Sequence, residues 1–300
     1  MSAAARLSAT PSTGPIAWLP LVVLPVGVVV LGSAWPAWVF MWAVAFSFFG
    51  SLKWLTLCDA LGASNASRAR CIGYLLLWPG MNARVFLATS KEVKPPRLAD
   101  WLFAFGKLTI GLVLLFITTQ LIPFYPKLAG WIGIAGIVFT LHFGLFHLLA
   151  NGWRQIGVNA VPIMNAPILS TSLGNFWGHR WNLAFRDLAH AYVFRPAVSK
   201  LGIAGASLAV FLVSGLVHEV VISIPAQGGY GLPTLYFVIQ AVGQMFERSR
   251  LGKTLHINRG LTGRAFTVVV VLAPFPLLIH GPFMNQVLVP MFAVLANYGS

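Results

Sequence analysis

The chain has 300 residues, of which 58% are hydrophobic and only 9% are charged. A soluble domain carries roughly 25% charged residues, so this composition excludes a water-exposed globular surface and indicates an integral membrane protein. The net charge of +14 does not indicate a nucleic-acid partner, because the basic residues lie between apolar runs, where the positive-inside bias of membrane proteins places them.

The first half of the chain contains four apolar runs of membrane-spanning length. Residues 1–15 are predicted to form a short cytosolic tail ahead of a single transmembrane domain, residues 16–300. The run at 71–87 is short and broken at Pro79 and Gly80, which predicts a re-entrant or interfacial segment. The polar stretch 91–100 predicts a cytosolic loop. The four predicted spans are 16–31, 35–57, 101–122 and 128–150.

Residues 151–200 contain no apolar run long enough to span a membrane. Aromatic residues alternate there with arginines, a composition typical of amphipathic helices at the headgroup level. The remaining predicted spans are 201–224, 232–246, 265–279 and 283–296. Basic and uncharged loops then alternate, which places both termini on the cytosolic side. The predicted fold is an all-α, polytopic transmembrane bundle of about eight spans, with additional re-entrant and interfacial helices.

Two histidines and two cysteines were considered as metal ligands. His142 and His147 are five residues apart, which places them on different faces of a helix. Packing by a hydrogen-bonded histidine is favoured over metal binding for both. Cys58 and Cys71 do not have metal-ligand spacing with any histidine. No metal site is therefore predicted.

His218 and Glu219 are the two ionisable residues of an otherwise apolar span. Such residues need a pairing partner or a function. His218 is either a buried histidine bonded to a neighbouring helix or a general base that removes a hydroxyl proton. Ser214 shares its helix face and is a candidate hydrogen-bond partner, although no triad surrounds it. Glu219 projects about 100 degrees away and is expected to pair with an arginine or bond across helices.

The segment 172–196 holds the chain's densest mixture of His, Arg and Asn. His179, Asn182 and Arg186 recur at three and four residues, which predicts one polar helix face with Trp181 beside it. Arg180 and Arg186 either extend to water at the interface or contact a ligand. Asn182 carries a neutral amide that both donates and accepts, which suits polarisation of a carbonyl.

Two motifs in this region resemble a known family. NFWGHRWN at 175–182 and SGLVHE at 214–219 resemble the paired signature of the membrane-bound O-acyltransferase superfamily, in its wax-synthase-like branch. WPGM at 78–81 also resembles a segment of that branch. The similarity covers about residues 73–219, with its signature region at 172–219. His179 departs from the pattern, because arginine is commoner there.

The resemblance implies a helix bundle around a tunnel, which acyl-CoA enters from the cytosolic side. It assigns the family histidine to His218 and the family asparagine to Asn182. The implied reaction transfers a fatty acyl group from acyl-CoA to a lipophilic alcohol, with His218 as general base and Asn182 at the thioester oxygen. Acyl-CoA is a co-substrate, and no other cofactor is expected. The predicted substrate contacts are Trp181, Arg180, Arg186 and Ser214, with Arg248 and Lys253 on the same side.

Three alternative functions remain open. The same fold would also acylate a sterol, a polyprenol, a sugar or a secondary metabolite, since the sequence does not reveal the acceptor. A proton-coupled transporter would use His142, His147 and His218 as a proton path and would consume no acyl-CoA. An inactive scaffold would not hydrolyse acyl-CoA. The expected location is the bacterial inner membrane, or the endoplasmic reticulum in a eukaryote, with lipid as neighbour and an undetermined oligomeric state.

Overall fold

The computed structural model describes residues 14–62, 66–88 and 93–298. Within these ranges the chain is helical and contains no strand, which confirms the predicted all-α fold. The predicted cytosolic tail 1–15 lies almost wholly outside the described residues, as do residues 91 and 92 of the predicted cytosolic loop. The positions of both segments stay predictions.

Helices are numbered in chain order, and the separate 3-10 and π-helical turns, such as Phe176–Arg180, have no number. The helices are α1 (Pro15–Ala34), α2 (Ala37–Leu61), α3 (Arg68–Leu77), α4 (Ala83–Leu87), α5 (Leu98–Leu121), α6 (Pro126–Gln155), α7 (Leu183–Ala226), α8 (Leu232–Arg248), α9 (Arg250–Thr254), α10 (Gly260–Leu278) and α11 (Val289–Tyr298).

Six of these helices within the described residues are long and apolar enough to cross a membrane, namely α1, α2, α5, α6, α7 and α10. They match six of the predicted spans, and the chain is an integral membrane protein. The other two predicted spans are also helical. However, α8 has only 17 residues, and the last span is assembled from Gly281–Phe283, Met284–Leu288 and α11.

A break within α7 separates its interfacial part from its apolar part. Gly202 has φ 65° and ψ 179°, outside the helical region, a conformation that glycine adopts without a side-chain clash. The predicted span starts at 201, so the sequence placed this boundary within one residue of the break. The first part of α7 extends from the signature segment, and the second part carries the SGLVHE motif.

The broken segment between α3 and α4 is confirmed. Helix α3 ends at Leu77 and α4 begins at Ala83, so the WPGM residues form the connection. Lys53 of α2 is 1% exposed, and its Nζ donates a hydrogen bond of 2.7 Å to the Gly80 carbonyl. The same Nζ lies 3.1 Å from the centroid of the Tyr74 ring. These two contacts stabilise the connection at its position beside α2.

Helices α5 and α6 pack with their backbones in close contact at glycines. A Cβ atom at Gly111 would lie 2.4 Å from the backbone nitrogen of Thr140, and one at Gly144 would lie 2.7 Å from the Cα atom of Leu108. Small residues permit such approaches between membrane helices, where van der Waals packing drives association.

Replacing Gly111 with valine should destabilise the bundle. The new side chain would overlap the Thr140 backbone, and overpacking costs about 1–3 kcal/mol. Gly106→Val is the matched control on α5, since a Cβ atom there meets nothing within 4 Å. The thermal midpoint of the purified protein in detergent should fall for Gly111→Val and change little for Gly106→Val. Equal midpoints for the two variants would contradict the close helix contact.

Candidate active site

A cavity of about 1740 Å³ lies among α2, α4, α6, α7, α8, α10 and the segment that precedes α7. The side chains that α6 and α10 contribute to its wall are all apolar, and they include Trp131, Val138 and Phe275. Charged side chains come from α2, α4, α7, and α8 instead. The cavity thus has both an apolar and an ionic part of its wall. A tunnel open at both ends stays a prediction.

His218 lies on the cavity wall with its ring orientation fixed. Its Nδ1 is 2.7 Å from the Ser214 carbonyl oxygen, and a carbonyl only accepts, so Nδ1 carries the hydrogen. The neutral ring therefore has its lone pair on Nε2. The Phe237 ring packs against it at a centroid distance of 4.6 Å. An imidazole held in this tautomer is suited to accept a proton at Nε2.

Ser214 contributes its backbone rather than its side chain to His218. The predicted hydrogen bond between the two residues is present, but the Ser214 hydroxyl donates to the Val210 carbonyl at 2.8 Å. Ser214 is 4% exposed and lines the cavity. This geometry fits a positioning role for Ser214, and its predicted contact with substrate stays a prediction.

Glu219 bonds across helices, one of the two roles predicted for it. Its Oε1 accepts from the backbone nitrogen of Thr234 at 3.0 Å and from the Thr234 hydroxyl at 2.9 Å. Thr234 lies in the first turn of α8, where backbone N–H groups have no partner within the helix. Gly215 allows the close approach, since a Cβ atom there would lie 2.8 Å from the Cα atom of Thr234.

Glu219→Ala should lower the stability of the protein more than Glu219→Gln. The alanine leaves the Thr234 N–H and hydroxyl without their acceptor, which costs about 2 kcal/mol or more for bonds to a charged group. The glutamine keeps an oxygen that accepts both bonds. Thermal midpoints of the two purified variants test this prediction, and a glutamine variant as unstable as the alanine variant would contradict it.

The predicted single polar helix face of His179, Asn182 and Arg186 is wrong. The Phe176–Arg180 turn ends at Trp181, and Asn182 has φ 41° in the left-handed region. The backbone nitrogen of Leu183 donates to the Ile163 carbonyl at 2.8 Å. The chain therefore changes direction at Asn182 before α7 begins. Asparagine tolerates this conformation better than most residues, which explains the residue type at the break.

Asn182 also caps α7. Its Oδ1 accepts from the backbone nitrogen of Phe185 at 3.2 Å, a standard N-cap arrangement. Because the N–H donor fixes Oδ1 as the acceptor, the two Nδ2 hydrogens remain for another partner. Asn182 and His218 line the same cavity. The structure therefore places an amide donor and a proton acceptor, from residues that are distant in sequence, on the wall of one cavity.

Of the other predicted substrate contacts, two line the cavity and one does not. Trp181 lines the cavity and stacks on Phe176 at a centroid distance of 5.6 Å. Arg186 lines the cavity and donates to the Gly178 carbonyl at 2.8 Å, while it forms an ion pair with Asp187.

Arg180 does not line the cavity, and it donates instead to Asn175, Asn165 and Ala166. Its predicted substrate contact has no support from this geometry.

Arginines that the sequence analysis did not single out also reach the cavity. Arg84 of α4 and Arg195 of α7 line it together with Arg186 and Arg248. Arg84 forms an ion pair with Asp59 at 3.0 Å. The lining contains more guanidinium groups than carboxylates, which favours an anionic ligand. Lys253, by contrast, is exposed and lies outside the lining.

His142 and His147 lie outside the lining of this cavity. The Nδ1 of His147 is 2.8 Å from the Lys107 Nζ, and the His142 ring packs against Phe146 at 5.3 Å. Within the described residues, no group of three or more His, Cys, Asp or Glu could hold a metal ion. His147 thus makes the predicted kind of hydrogen bond, whereas the buried Nδ1 of His142 has no partner within the described residues, so only packing is observed for His142.

Comparison with known proteins gives a match for the segment that carries Asn182 and His218. Residues 160–239 match the model of the membrane bound O-acyl transferase family. The chain is therefore similar to this family over 80 of its 300 residues. The matched segment contains both Asn182 and His218, which supports the resemblance stated from the motifs.

Relatives of this chain include plant proteins. The chain is 34% identical over 130 residues to a long-chain-alcohol O-fatty-acyltransferase of Simmondsia chinensis, covering 39% of this chain and 36% of the relative. It is 32% identical over 135 residues to a probable long-chain-alcohol O-fatty-acyltransferase 3 of Arabidopsis thaliana, covering 41% and 38%. An acyl-CoA–sterol O-acyltransferase 1 of the same plant is 36% identical over 67 residues, covering 20% and 19%. The chain thus spans well under half the length of these relatives.

Helix α8 contacts both motif segments, NFWGHRWN and SGLVHE. Thr234 and Phe237 contact the SGLVHE motif, as described above. Gln240 accepts from Trp177 Nε1 at 3.3 Å, and the Glu247 carboxylate accepts from the backbone nitrogens of Leu173 and Gly174. Burial raises the pKa of the Glu247 carboxyl, and the two N–H donors oppose this shift. The sequence predicts α8 only as a span, and its contacts with the two motif segments were not predicted.

Proposed function

We propose that this protein transfers a fatty acyl group from acyl-CoA to the hydroxyl of a lipophilic alcohol. The observation that carries the proposal is the shared cavity of Asn182 and His218. The first residue offers free amide hydrogens and the second an unprotonated ring nitrogen. These are the two groups that acyl transfer between a thioester and an alcohol needs.

The reaction follows from these two groups. His218 Nε2 accepts the hydroxyl proton as the alcohol oxygen forms a bond to the thioester carbonyl carbon. The Asn182 amide donates to the carbonyl oxygen, on which negative charge develops. The carbon–sulfur bond then breaks, and the leaving thiolate takes the proton from the imidazolium. The products are the ester and CoA with a free thiol, and His218 returns to its neutral form.

The cavity wall supports both substrates. The arginines Arg84, Arg186, Arg195 and Arg248 suit the phosphates of CoA, because guanidinium groups pair with phosphate in fixed geometry. The apolar residues of α6 and α10 suit the acyl chain and the alcohol. An apolar enclosure also limits water, which would otherwise hydrolyse the thioester. Acyl-CoA is the co-substrate, and no additional cofactor enters the proposed mechanism.

The orientation in the membrane is part of the proposal. The basic residues of α3, α9 and the start of α10 point to a cytosolic side by the positive-inside bias. Both termini would then face the cytosol, as would the donor side of the cavity. The membrane is the inner membrane in a bacterium or the endoplasmic reticulum in a eukaryote.

A sterol is the second candidate acceptor. One relative is named as an acyl-CoA–sterol acyltransferase, and a sterol is also a lipophilic alcohol with one hydroxyl. The roles of His218 and Asn182 are the same for either acceptor. The shape of the apolar part of the cavity decides between a flexible chain and a rigid ring system.

Neutral-lipid analysis of cells tests the proposal and names the acceptor. Cells that express the wild type are expected to accumulate a new ester, and cells with equal amounts of His218→Ala are expected to lack it. Feeding a long-chain alcohol or a sterol to separate cultures shows which acceptor is used. If neither culture contains an ester that depends on His218, the proposed function is wrong.

A further inference from the structure

Gln244 of α8 and Ser207 of α7 form a neutral polar pair on the cavity wall. Gln244 is 6% exposed, and its Oε1 accepts from the Ser207 hydroxyl at 2.8 Å. This bond fixes Oε1 as the acceptor and leaves the two Nε2 hydrogens as donors. Among the residues that the structure describes, no protein acceptor pairs with these hydrogens.

Gln240 provides the contrast one turn earlier on the same helix. Its Oε1 accepts from Trp177, and its Nε2 donates to the Val270 carbonyl at 2.7 Å. Both ends of that amide are occupied by protein, and Gln240 does not line the cavity. The open donor of Gln244 is therefore a property of its position on the cavity wall.

The position of Gln244 along α8 indicates what it binds. Phe237, Gln244 and Arg248 share one helix face, because their spacings of seven and four residues are close to whole turns. With a rise of 1.5 Å per residue, Gln244 lies about 10 Å from Phe237 and about 6 Å from Arg248 along the axis. Phe237 packs against His218, where the thioester would react, and Arg248 is one of the arginines suited to phosphate.

Acyl-CoA carries its chemical groups in this same order. The pantetheine arm, with its two amides, connects the reacting thioester to the phosphates. We propose that Gln244, oriented by Ser207, donates a hydrogen bond to an amide carbonyl of the pantetheine arm. This inference rests on the proposed function, since it takes acyl-CoA as the donor. It makes Gln244 a substrate-binding residue that the motifs do not include.

Gln244→Leu is the variant that tests the inference. It keeps the approximate volume and removes the donor, so the pantetheine carbonyl would be left without a partner in a buried site. We expect the KM for acyl-CoA to rise about 10- to 100-fold with little change in kcat, the pattern of a lost uniform binding contact. Ser207→Ala, which frees the glutamine from its orienting bond, should raise the same KM by about threefold to tenfold.

A second ligand distinguishes the loss of pantetheine binding from a general disruption of the binding site. Adenosine 3′,5′-bisphosphate keeps the adenosine and two of the three phosphates of CoA but lacks pantetheine, so its inhibition constant should be unchanged in Gln244→Leu. Met245→Leu is the matched control, since Met245 lies next to Gln244 but is exposed and outside the cavity lining. All measurements use the full chain in liposomes.

The outcomes distinguish the two proposals. No acyl transfer from acyl-CoA by the wild type would overturn the proposed function. Transfer by the wild type, with an unchanged KM in Gln244→Leu and Ser207→Ala, would overturn this inference alone. So would an inhibition constant for adenosine bisphosphate that rises in parallel with the KM. If Gln244→Leu does not accumulate, the KM of Ser207→Ala decides.

Discussion

His218→Ala is expected to reduce ester formation by about 100- to 10,000-fold, the usual loss when a general base is removed. The structure gives the physical reason. The Nδ1 hydrogen is held by the Ser214 carbonyl, so Nε2 is the nitrogen that accepts the hydroxyl proton. Membranes supplied with labelled acyl-CoA and a long-chain alcohol provide the measurement, with the ester counted per amount of protein.

His147→Gln is the control for this variant. His147 lies outside the cavity lining and contacts Lys107, and glutamine also offers an acceptor to that lysine. Its activity should stay within about threefold of the wild type. Activity of His218→Ala in the same range would remove His218 from the mechanism, whatever the shape of the cavity.

Asn182→Asp is expected to reduce ester formation by about 100- to 1000-fold, the typical loss of one oxyanion donor. Aspartate retains the cap, since a carboxylate oxygen accepts from the Phe185 nitrogen, and it tolerates the left-handed backbone. It lacks the Nδ2 hydrogens and places negative charge near the carbonyl oxygen. The same labelled-substrate assay measures the effect.

Asn182→Ala separates the catalytic from the structural role. The alanine loses the cap as well as the amide, so we expect activity as low as that of Asn182→Asp together with a stability lower by about 1 kcal/mol. Thermal midpoints report the second effect. An Asn182→Asp variant with nearly wild-type activity would mean that Asn182 serves only to begin α7.

The spans, and the position of His218 inside one of them, were predictable because each depends on local sequence. A long apolar run predicts a membrane helix, because few other structures can cross a bilayer. An ionisable side chain inside such a run indicates a function or a pairing partner. The break at Gly202 was also near a composition change that the sequence shows. These features needed no knowledge of which helices pack together.

The break at Asn182 was not predictable from spacing. His179, Asn182 and Arg186 have helical periodicity, but the left-handed conformation of Asn182 goes together with backbone hydrogen bonds to residues 163–165, which are a tertiary contact. The hydrogen bonds of Arg180 were not predictable for the same reason, since its acceptors at Asn165 and Ala166 come from that neighbour. A local pattern is overridden when a distant segment supplies the hydrogen bonds.

The contacts of α8 with the motif segments and the cavity were not predicted from the sequence, because its glutamines are neutral. Gln240 and Gln244 lower the hydropathy of the span but do not by themselves indicate a binding or catalytic role. Their hydrogen-bond partners Trp177 and Ser207 lie on other elements. Arg84 and Arg195 reach the cavity from separate helices in the same way. Their convergence is a property of the fold and not of any motif.

The most direct test of the account is the stoichiometry of the reaction with purified protein in liposomes. With labelled acyl-CoA and a lipophilic alcohol, the wild type should release one free CoA thiol for each ester formed, and His218→Ala and Asn182→Asp should form almost none of either. Release of CoA with free fatty acid as the sole product, or ester formation that persists in both variants, would contradict acyl transfer by this pair of residues.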